Sequence, residues 1–374
     1  MAAKPTVCIF QTDAGEGHKN AEKVIRKALG EQVRFQSFEI YKDVLADYDL
    51  AAKYLGLSSP DIYNKVVLQK GYTGIAWTVL AGLNLAYLKI MKGRLAGAVA
   101  EFLSGRDCDV AVALVPLLNS VLAEGVARTG RDIPLISVVT DFIQPFKGIW
   151  FQDPRQHVIV CTPEARDQAL KAGIKEEQVH LLSGAPIDTE ALDPKSADPG
   201  EVRNHLSGDK PVTLMIYGGH AGQVVEKYIE AIEDSEADTD IVCICGRNEA
   251  LRDRLESRGF SKLKLATGFV DVAPYYAVAD LVLGKPGPGV ITEAAHMGAP
   301  LLLEYNSGTM AQERFNAKWA AERGIAETFS DKADLIEKLD GMLKPESLQS
   351  YRAATRKMKN NSMAEIKEIF GKYL

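Results

Sequence analysis

Short apolar runs alternate with helix-like stretches along almost the whole chain. The runs are rich in Val, Ile and Leu and include TVCIF, VRFQSFEI, DVAVALVP, PLISVVTD, HVIVCT, PVTLMIYGG, TDIVCICG and PLLLEY. Continuous apolar strands separated by amphipathic helices are typical of parallel sheets that are covered on both faces. The pattern therefore predicts an α/β fold.

A proline-rich interruption divides this pattern in two. The segment SGAPIDTEALDPKSADPGEV is acidic and poor in apolar residues, and strands and helices resume after it. A chain of 374 residues also exceeds what one hydrophobic core usually supports. We expect two Rossmann-like domains facing across a cleft, 1–187 and 188–350, and a C-terminal helix over 351–374 that could cross back to the first domain.

The charge and the cysteines exclude several functions. The formal net charge is -6 and no basic stripe is visible, so nucleic acid is not expected as a partner. The five cysteines lie mostly in apolar runs, which predicts buried, reduced thiols in a cytoplasmic protein. Cys243 and Cys245 have the wrong spacing for a zinc site, so no metal is expected. No signal peptide is visible, because Lys4 and Pro5 lead directly into a strand.

One region, about 54–95, departs from the pattern, since its part 71–88 carries no charge at all. Three interpretations are open: a helix buried in the core, a transmembrane helix, and a helix that lies on a membrane or binds an apolar acceptor. In the third, Trp77 and Tyr87 would lie at the apolar surface, with cationic side chains beside them at Lys89, Lys92 and Arg94.

The two halves begin alike. VCIFQTDAGEGHKNAEKVI and VTLMIYGGHAGQVVEKYIEAI each read as a strand, a glycine turn, a histidine and an amphipathic helix. Each half thus offers a helix N-terminus after its first strand, which is where such domains bind ligands.

The stretch GKPGPGVITE is the best candidate for a phosphate site. Its glycines let backbone amides approach an anion, its prolines stiffen the loop, and a helix opens at about Val290. A diphosphate there would be stabilised by free amides and the helix dipole. Glu293, one turn into the helix, could accept hydrogen bonds from ribose hydroxyls; alternatively it is a solvated side chain after a tight turn.

A second polar helix start follows in MAQERFNAKW. It places Gln312, Glu313 and Asn316 on the first turns, and a neutral amide beside a carboxylate suits the hydroxyls of a sugar. The alternative is a simple helix cap.

Together these motifs resemble the diacylglycerol glycosyltransferases of the monogalactosyldiacylglycerol synthase type, and more distantly the lipid-linked N-acetylglucosaminyltransferase of peptidoglycan synthesis. The resemblance spans DAGEGHKNAEKVI, SVVTDF, CTPEARDQALKAGIKEEQVHLLSGAPID, the glycine-proline loop and QERFN. It implies the B-type glycosyltransferase fold (GT-B) and an inverting transfer of a hexose from a UDP-sugar to a lipid or other apolar acceptor. No cofactor or metal is expected.

The resemblance also assigns the donor site, mainly in the second domain. Gly287, Pro288 and Gly289 would bind the diphosphate, and Glu293 the ribose. The donor sugar would be held by Gln312 and Glu313, the nucleobase by Phe269 and Val270, and the donor side would be lined by Gly218, Gly219 and His220.

In the first domain His18 is the candidate base, because a group with a pKa near neutrality suits the removal of a hydroxyl proton. Asp141 is the second choice, as base or as the group that orients the histidine. Gly15, Glu16, Gly17 and Trp150 are expected on the acceptor side. Alternatively His18 caps its helix or binds a phosphate.

Two departures from the family pattern bear on which acceptor this chain binds. Relatives carry histidines around a proline-aromatic stretch where this chain has Gln144 and Gln152, and a glycine where it has Glu16. The Glu16 carboxylate would either raise the pKa of His18 or exclude anionic acceptors.

Two other classes stay open: a UDP-sugar epimerase of the same fold, and a non-catalytic sugar-nucleotide-binding protein. The sequence does not choose among galactose, glucose and N-acetylglucosamine. It favours a protein that lies peripherally on the cytoplasmic face of a membrane.

Overall fold

The computed structural model describes residues 4–12, 16–56, 58, 75–195, 197–219 and 221–374. Only the backbone is described at 16, 54, 55, 75–81, 311 and 312. The chain divides into two compact units. The first consists of Met1–Ile187 with Asn361–Leu374, and the second of Asp188–Asn360.

The first unit is built on a parallel six-stranded sheet with the strand order β2-β1-β3-β4-β5-β6. Its strands are β1 (Thr6–Gln11), β2 (Arg34–Glu39), β3 (Val110–Ala113), β4 (Leu135–Val138), β5 (His157–Val160) and β6 (Val179–Leu181). Its α-helices are α1 (Glu16–Leu29), α2 (Leu50–Leu55), α3 (Ile75–Ser104), α4 (Asn119–Arg128) and α5 (Pro163–Lys171), and a π-helical turn spans Ile40–Val44.

Both faces of this sheet are covered, as its continuous apolar strands require. Cys8 and Phe10 of β1 point into a cluster with Leu95 and Val99 of α3. Val7 and Ile9, the alternate residues, point to the opposite face, where helix α1 packs.

The last helix of the chain, α14 (Ser362–Phe370), belongs to the first unit. Ile366 and Phe370 are fully buried in the same cluster as the apolar face of α1. Beyond the helix, the Tyr373 hydroxyl lies 2.8 Å from Nδ1 of His157 and 2.7 Å from Nε2 of His180. These contacts attach the end of the chain to strands β5 and β6.

The second unit has a parallel sheet of six strands in the order β12-β11-β10-β7-β8-β9. The strands are β7 (Val212–Ile216), β8 (Asp240–Ile244), β9 (Leu263–Thr267), β10 (Leu281–Gly284), β11 (Leu301–Glu304) and β12 (Ala326–Phe329). The helices are α6 (Gly200–Arg203), α7 (Val224–Glu233), α8 (Glu249–Ser257), α9 (Ala273–Val278), α10 (Pro288–Met297), α11 (Ala311–Glu322), α12 (Lys332–Leu343) and α13 (Pro345–Thr355).

Each sheet reverses its strand order once. The reversal lies between β1 and β3 in the first unit and between β7 and β10 in the second. Ligands of such sheets bind outside the carboxyl ends of the strands at this reversal. The loop that leads to His18 follows β1, and the glycine-proline loop follows β10, so both candidate loops lie where the topology predicts.

The uncharged region is described in part. Residues 57 and 59–74 lie outside the described residues, as does the side chain of Trp77. Helix α3 has one buried face, with Leu88 and Leu95 in the core, while Leu83 and Ile90 are 64% and 81% exposed. Among the helices that the structure describes, none is long and apolar enough to cross a membrane.

Two predictions of the sequence are confirmed. The fold is α/β, with two parallel sheets. All five cysteines are buried and free.

Candidate functional site

His18 lies in the first turn of α1, next to the loop that follows β4. Its Nδ1 is 3.5 Å from Oγ1 of Thr140. The imidazole is partly buried, and desolvation lowers its pKa from 6.5 to about 4. His18 is therefore neutral at pH 7 and has a nitrogen lone pair that can accept a proton, but burial puts its pKa below the near-neutral value that the sequence led us to expect.

Asp141 and Trp150 form the other side of this region. The indole Nε1 of Trp150 donates to Oδ2 of Asp141 at 2.8 Å, and the Trp150 ring centroid lies 6.2 Å from that of His18. Trp150 is fully buried, and its hydrogen bond to Asp141 places it beside this region. The described neighbour of His18 Nδ1 is the Thr140 hydroxyl.

Buried amides hold the Trp150 loop in place. Oε1 of Gln144 accepts hydrogen bonds from the backbone amides of Trp150 and Phe151, at 3.2 and 3.4 Å. Nε2 of Gln156 and Nδ2 of Asn119 both donate to the Trp150 carbonyl at 3.1 Å. Gln144 thus has a structural role in holding this loop.

Sequence reasoning missed most of this network. Asn119 and Gln156 belong to different segments and only the fold brings them together. The available signal was weak: polar amides at the ends of apolar runs.

The remaining acceptor-side predictions are placed only in part. Gly15 lies outside the described residues, and Glu16 is described by its backbone alone, as the first residue of α1. Gly17 lies against the β4 loop, because a Cβ on it would be 4.0 Å from the Cβ of Thr140. The two hypotheses for Glu16 stay predictions.

In the second unit, β10 ends at Gly284, where a Cβ would collide with the Ile216 carbonyl oxygen. The chain then turns and begins α10, with Gly287 as N-cap and Pro288 at the first helical position. Apart from the adjoining residues and the backbone of α10 itself, no described atom lies within 4 Å of the position that a Cβ on Gly287 or Gly289 would take. The unpaired amides and positive dipole end of the helix are therefore open to an anion.

Lys285 supplies a cationic group beside this helix end. Its Nζ lies 3.4 Å from Oε1 of Glu313 on α11. Gly218, which follows β7, has a φ of +79°, and a Cβ there would lie 3.1 Å from Cε of Lys285. Gly219 follows at once, and its carbonyl accepts from the Arg247 amide at 2.8 Å. The loops after β7 and β10 are thus in contact, as their neighbouring strands require.

Asn316, on α11, holds the glycine-proline loop in place through a hydrogen bond to its backbone. It is fully buried, and its Nδ2 donates to the Pro286 carbonyl at 2.9 Å. The sequence placed Asn316 with the residues of a sugar site, whereas the structure gives it this structural hydrogen bond. Gln312 is described by its backbone alone, at the start of α11, and His220 lies outside the described residues.

The Glu293 carboxylate is held in place by Tyr276. The Tyr276 hydroxyl donates to Oε2 of Glu293 at 3.1 Å. Burial, followed by the nearby Glu293 charge, raises the pKa of Tyr276 well above 10, so the hydroxyl keeps its proton. The carboxylate is thereby fixed on a partly exposed part of α10.

Phe269 offers a flat apolar surface after β9. The ring is 60% exposed, and the Arg247 guanidinium lies 4.2 Å from its centroid. Val270 follows in the same partly exposed turn. An exposed aromatic face beside a cation is suited to a planar ring such as a nucleobase.

Metal-binding clusters were sought among His, Cys, Asp and Glu. Within the part of the chain that the structure describes, no group of three or more could hold a metal ion.

Each of the two candidate regions lies in a part of the chain that matches a known protein family. Residues 18–187 match the family model of monogalactosyldiacylglycerol (MGDG) synthase, and residues 213–370 match the glycosyltransferase family 28 C-terminal domain. The processive diacylglycerol beta-glucosyltransferase of Bacillus subtilis is 26% identical over 358 residues, with 92% of this chain and 89% of that protein covered.

Solved structures share the fold. MurG of Acinetobacter baumannii has a TM-score of 0.63 at 14% identity, covering 99% of this chain and 100% of its own. UDP-GlcNAc 2-epimerase from Neisseria meningitidis, bound to UDP-GlcNAc, has a TM-score of 0.57 at 11% identity, with 98% of both chains covered. At such identities the likeness establishes the fold alone, which transferases and epimerases have in common.

The fold and the two domain matches define a glycosyltransferase of the GT-B class. More closely, the two halves of the chain are similar to MGDG synthase and to the glycosyltransferase family 28 C-terminal domain, and the two matches together span most of its length.

Proposed function

We propose that this glycosyltransferase transfers a hexose from a UDP-sugar to the hydroxyl of a lipid or other apolar acceptor, with inversion at the anomeric carbon. The observation that carries the donor assignment is the start of α10. There, open glycines at 287 and 289 flank a proline-led helix N-terminus, and Tyr276 fixes the Glu293 carboxylate one turn further on.

The leaving diphosphate is stabilised at this helix end. Its negative charge grows as the glycosidic bond breaks, and the α10 amides and dipole, with Lys285 beside them, favour that charge. Glu293 accepts hydrogen bonds from the ribose, Phe269 and Val270 hold the uracil, and Gln312 and Glu313 hold the sugar. The proposal requires no metal, because these groups together take the role of a cation.

His18 serves as the base. The acceptor hydroxyl attacks the anomeric carbon and passes its proton to the neutral imidazole, which burial keeps unprotonated at pH 7. Thr140 is positioned to orient the ring through Nδ1, which leaves Nε2 for the acceptor. A single direct displacement of this kind inverts the configuration.

The acceptor assignment is supported by the family and by the exposed face of α3. Leu83 and Ile90 are seven residues apart, and thus on one face, and Lys89 and Arg94 are exposed beside them. An apolar helix face flanked by cations is typical of proteins that lie on a membrane surface. We place the protein peripherally on the cytoplasmic face of a membrane, where lipid acceptors are available.

A screen of substrates tests this proposal. The purified protein is incubated with UDP-glucose, UDP-galactose or UDP-N-acetylglucosamine and with vesicles of a membrane lipid extract, and products are identified by mass. We expect one lipid species to gain a hexose or N-acetylhexosamine. UDP-N-acetylglucosamine is also incubated alone, since an epimerase would convert it without an acceptor. Conversion of the sugar nucleotide alone, or no glycolipid with any donor, would contradict the proposal.

A further inference from the structure

Leu117 has a backbone conformation that leucine rarely adopts. Its φ is +70°, in the left-handed region, and within the part of the chain that the structure describes the other residues with a positive φ are all glycines. The Cβ of an L-residue is crowded in this region, and a leucine side chain forms no local hydrogen bond that would offset the cost. Strained residues of this kind persist only where their surroundings hold them, and they cluster at functional sites.

The strained residue lies at the reversal of strand order in the first sheet. It follows β3, the neighbour of β1, and α4 begins two residues later at Asn119. The loop that leads to His18 follows β1 at the same carboxyl edge. Leu117 therefore belongs to one of the two loops between which sheets of this kind bind their ligands.

Two hydrogen bonds join the turn at Leu117 to the loop of Trp150. The Leu117 amide donates to the Ile149 carbonyl at 2.7 Å, and Nδ2 of Asn119 donates to the Trp150 carbonyl at 3.1 Å. The φ angle of Leu117 sets how its amide is oriented relative to Asn119, two residues further on. Both bonds therefore depend on the left-handed conformation.

Packing holds Leu117 in this conformation. Its side chain is 8% exposed and lies in the same buried cluster as Ile149, Trp150 and Phe151. The free energy gained by burying a leucine side chain typically exceeds the cost of one left-handed residue. The side chain thus anchors the turn that the backbone alone would leave.

The loop of Trp150 reaches the candidate base. The indole Nε1 of Trp150 donates to Oδ2 of Asp141 at 2.8 Å, and the Trp150 ring centroid lies 6.2 Å from that of His18. Asp141 follows Thr140, whose hydroxyl is 3.5 Å from Nδ1 of His18. A displacement of Trp150 would therefore change the surroundings of the base, and a shift of about 1 Å is enough to slow an enzymatic reaction.

We propose that Leu117 is a positioning residue of the transfer reaction. Its left-handed backbone, held by the buried side chain, fixes Trp150 and through it the Asp141 carboxylate beside His18. The inference rests on the proposed function and deepens it, because it identifies a residue that acts on the geometry of the base through other groups.

Alanine and glycine at position 117 separate the backbone from the side chain. Leu117→Ala loses the buried anchor and keeps the strain, so the turn should leave the left-handed region and kcat should fall about threefold to tenfold. Leu117→Gly loses the same anchor but adopts a positive φ without strain, so kcat should stay within about twofold of the native value.

Thermal unfolding of the same two variants checks the strain itself. The Tm of Leu117→Gly should exceed that of Leu117→Ala by about 2–4 °C, whereas glycine is the less stable of the two at an ordinary position. A Tm of Leu117→Gly at or below that of Leu117→Ala would show that the backbone is not strained, and the inference would be overturned.

Two further variants complete the test. Leu122→Ala removes a fully buried side chain of the same cluster from helix α4, so it should lower the Tm without changing kcat. Trp150→Phe removes the indole N–H, and in its background Leu117→Ala should lower kcat no further, because both changes act on the same carboxylate. The Kd for UDP should stay native in the Leu117 variants, since the candidate donor residues belong to the second unit.

The possible failures are distinguishable. Leu117 has a structural role only, and the inference is overturned, if Leu117→Gly or Leu122→Ala loses as much kcat as Leu117→Ala. The same holds if the losses of Leu117→Ala and Trp150→Phe multiply in the double variant. In these cases the native protein still transfers sugar, whereas a native protein that transfers to no lipid overturns the proposed function and this inference with it.

Discussion

The hydrogen bond between Asn316 and the Pro286 carbonyl gives a sharp test of the donor site. Asn316→Leu replaces a fully buried amide with an apolar side chain of similar size, so it removes the 2.9 Å bond from Nδ2 without leaving a large cavity. We expect the glycine-proline loop to lose its fixed position and the affinity for UDP to fall.

The magnitudes follow from the groups involved. A buried carbonyl left without a donor costs about 1–3 kcal/mol. Oδ1 of Asn316 has no partner among the described residues, so its removal recovers part of this cost. A net loss of about 1–2 kcal/mol lowers the Tm of the second unit by about 2–8 °C. If the loop conformation that binds UDP is disfavoured by the same free energy, the Kd for UDP rises about fivefold to thirtyfold.

Calorimetric titration with UDP and thermal unfolding measure the two effects. Thr239→Val is the matched control: the buried Thr239 hydroxyl donates to the Pro211 carbonyl at 2.8 Å, just before β7 and thus at the opposite edge of the sheet. It should lower the Tm without changing the Kd. If Asn316→Leu bound UDP with the native Kd, the hydrogen bond would contribute to stability only, and the reasoning about the loop would be refuted.

Three further predictions concern single groups. Tyr276→Phe removes the 3.1 Å bond to Glu293 and should weaken UDP binding about threefold to tenfold in titrations, whereas an unchanged Kd would show that the carboxylate needs no support. With the pKa of His18 at about 4, kcat/KM should change less than about twofold between pH 7 and 5.5. An unshifted pKa of 6.5 would instead cut it about eightfold. Desolvation also lowers the pKa of His180 from 6.5 to about 4, so the unfolded chain binds more protons and stability should fall, by at most about 3 kcal/mol, as the pH drops from 6.5 to 4. The free energy of unfolding in urea, measured between pH 6.5 and 4, checks this. A value that does not change with pH, in the native protein and in Tyr373→Phe alike, would contradict it.

Local pattern was enough to predict the sheets and the helix starts. The apolar runs fixed the strands because strands buried on both faces have a composition that few other elements share. The start of α10 was readable from GKPGPG, because the fixed φ of proline suits the first position of a helix and glycine is tolerated at the N-cap. The order of strand, glycine turn, histidine and helix around His18 was also readable locally, and the structure puts His18 in the first turn of α1.

Contacts between distant segments could not be read from the sequence. Nothing local indicates that Gln144 and Asn119 both bind the loop of Trp150, or that Trp150 is buried behind Asp141. Asn316 has the sequence context of a ligand-binding helix start, and only the packing of α11 beneath the loop converts it into an anchor. These roles depend on which strands become neighbours, which is a property of the whole sheet.

Transfer by the native protein and by His18→Ala, measured beside UDP binding, tests the central claim most directly. The native protein should form a glycolipid from a UDP-sugar and a lipid acceptor, with the anomeric configuration inverted. His18→Ala should lose about 10²–10⁴-fold in rate, the usual contribution of a general base, and should bind UDP as the native protein does. A variant that transfers sugar at the native rate, or a native protein that makes no glycolipid, would contradict the account.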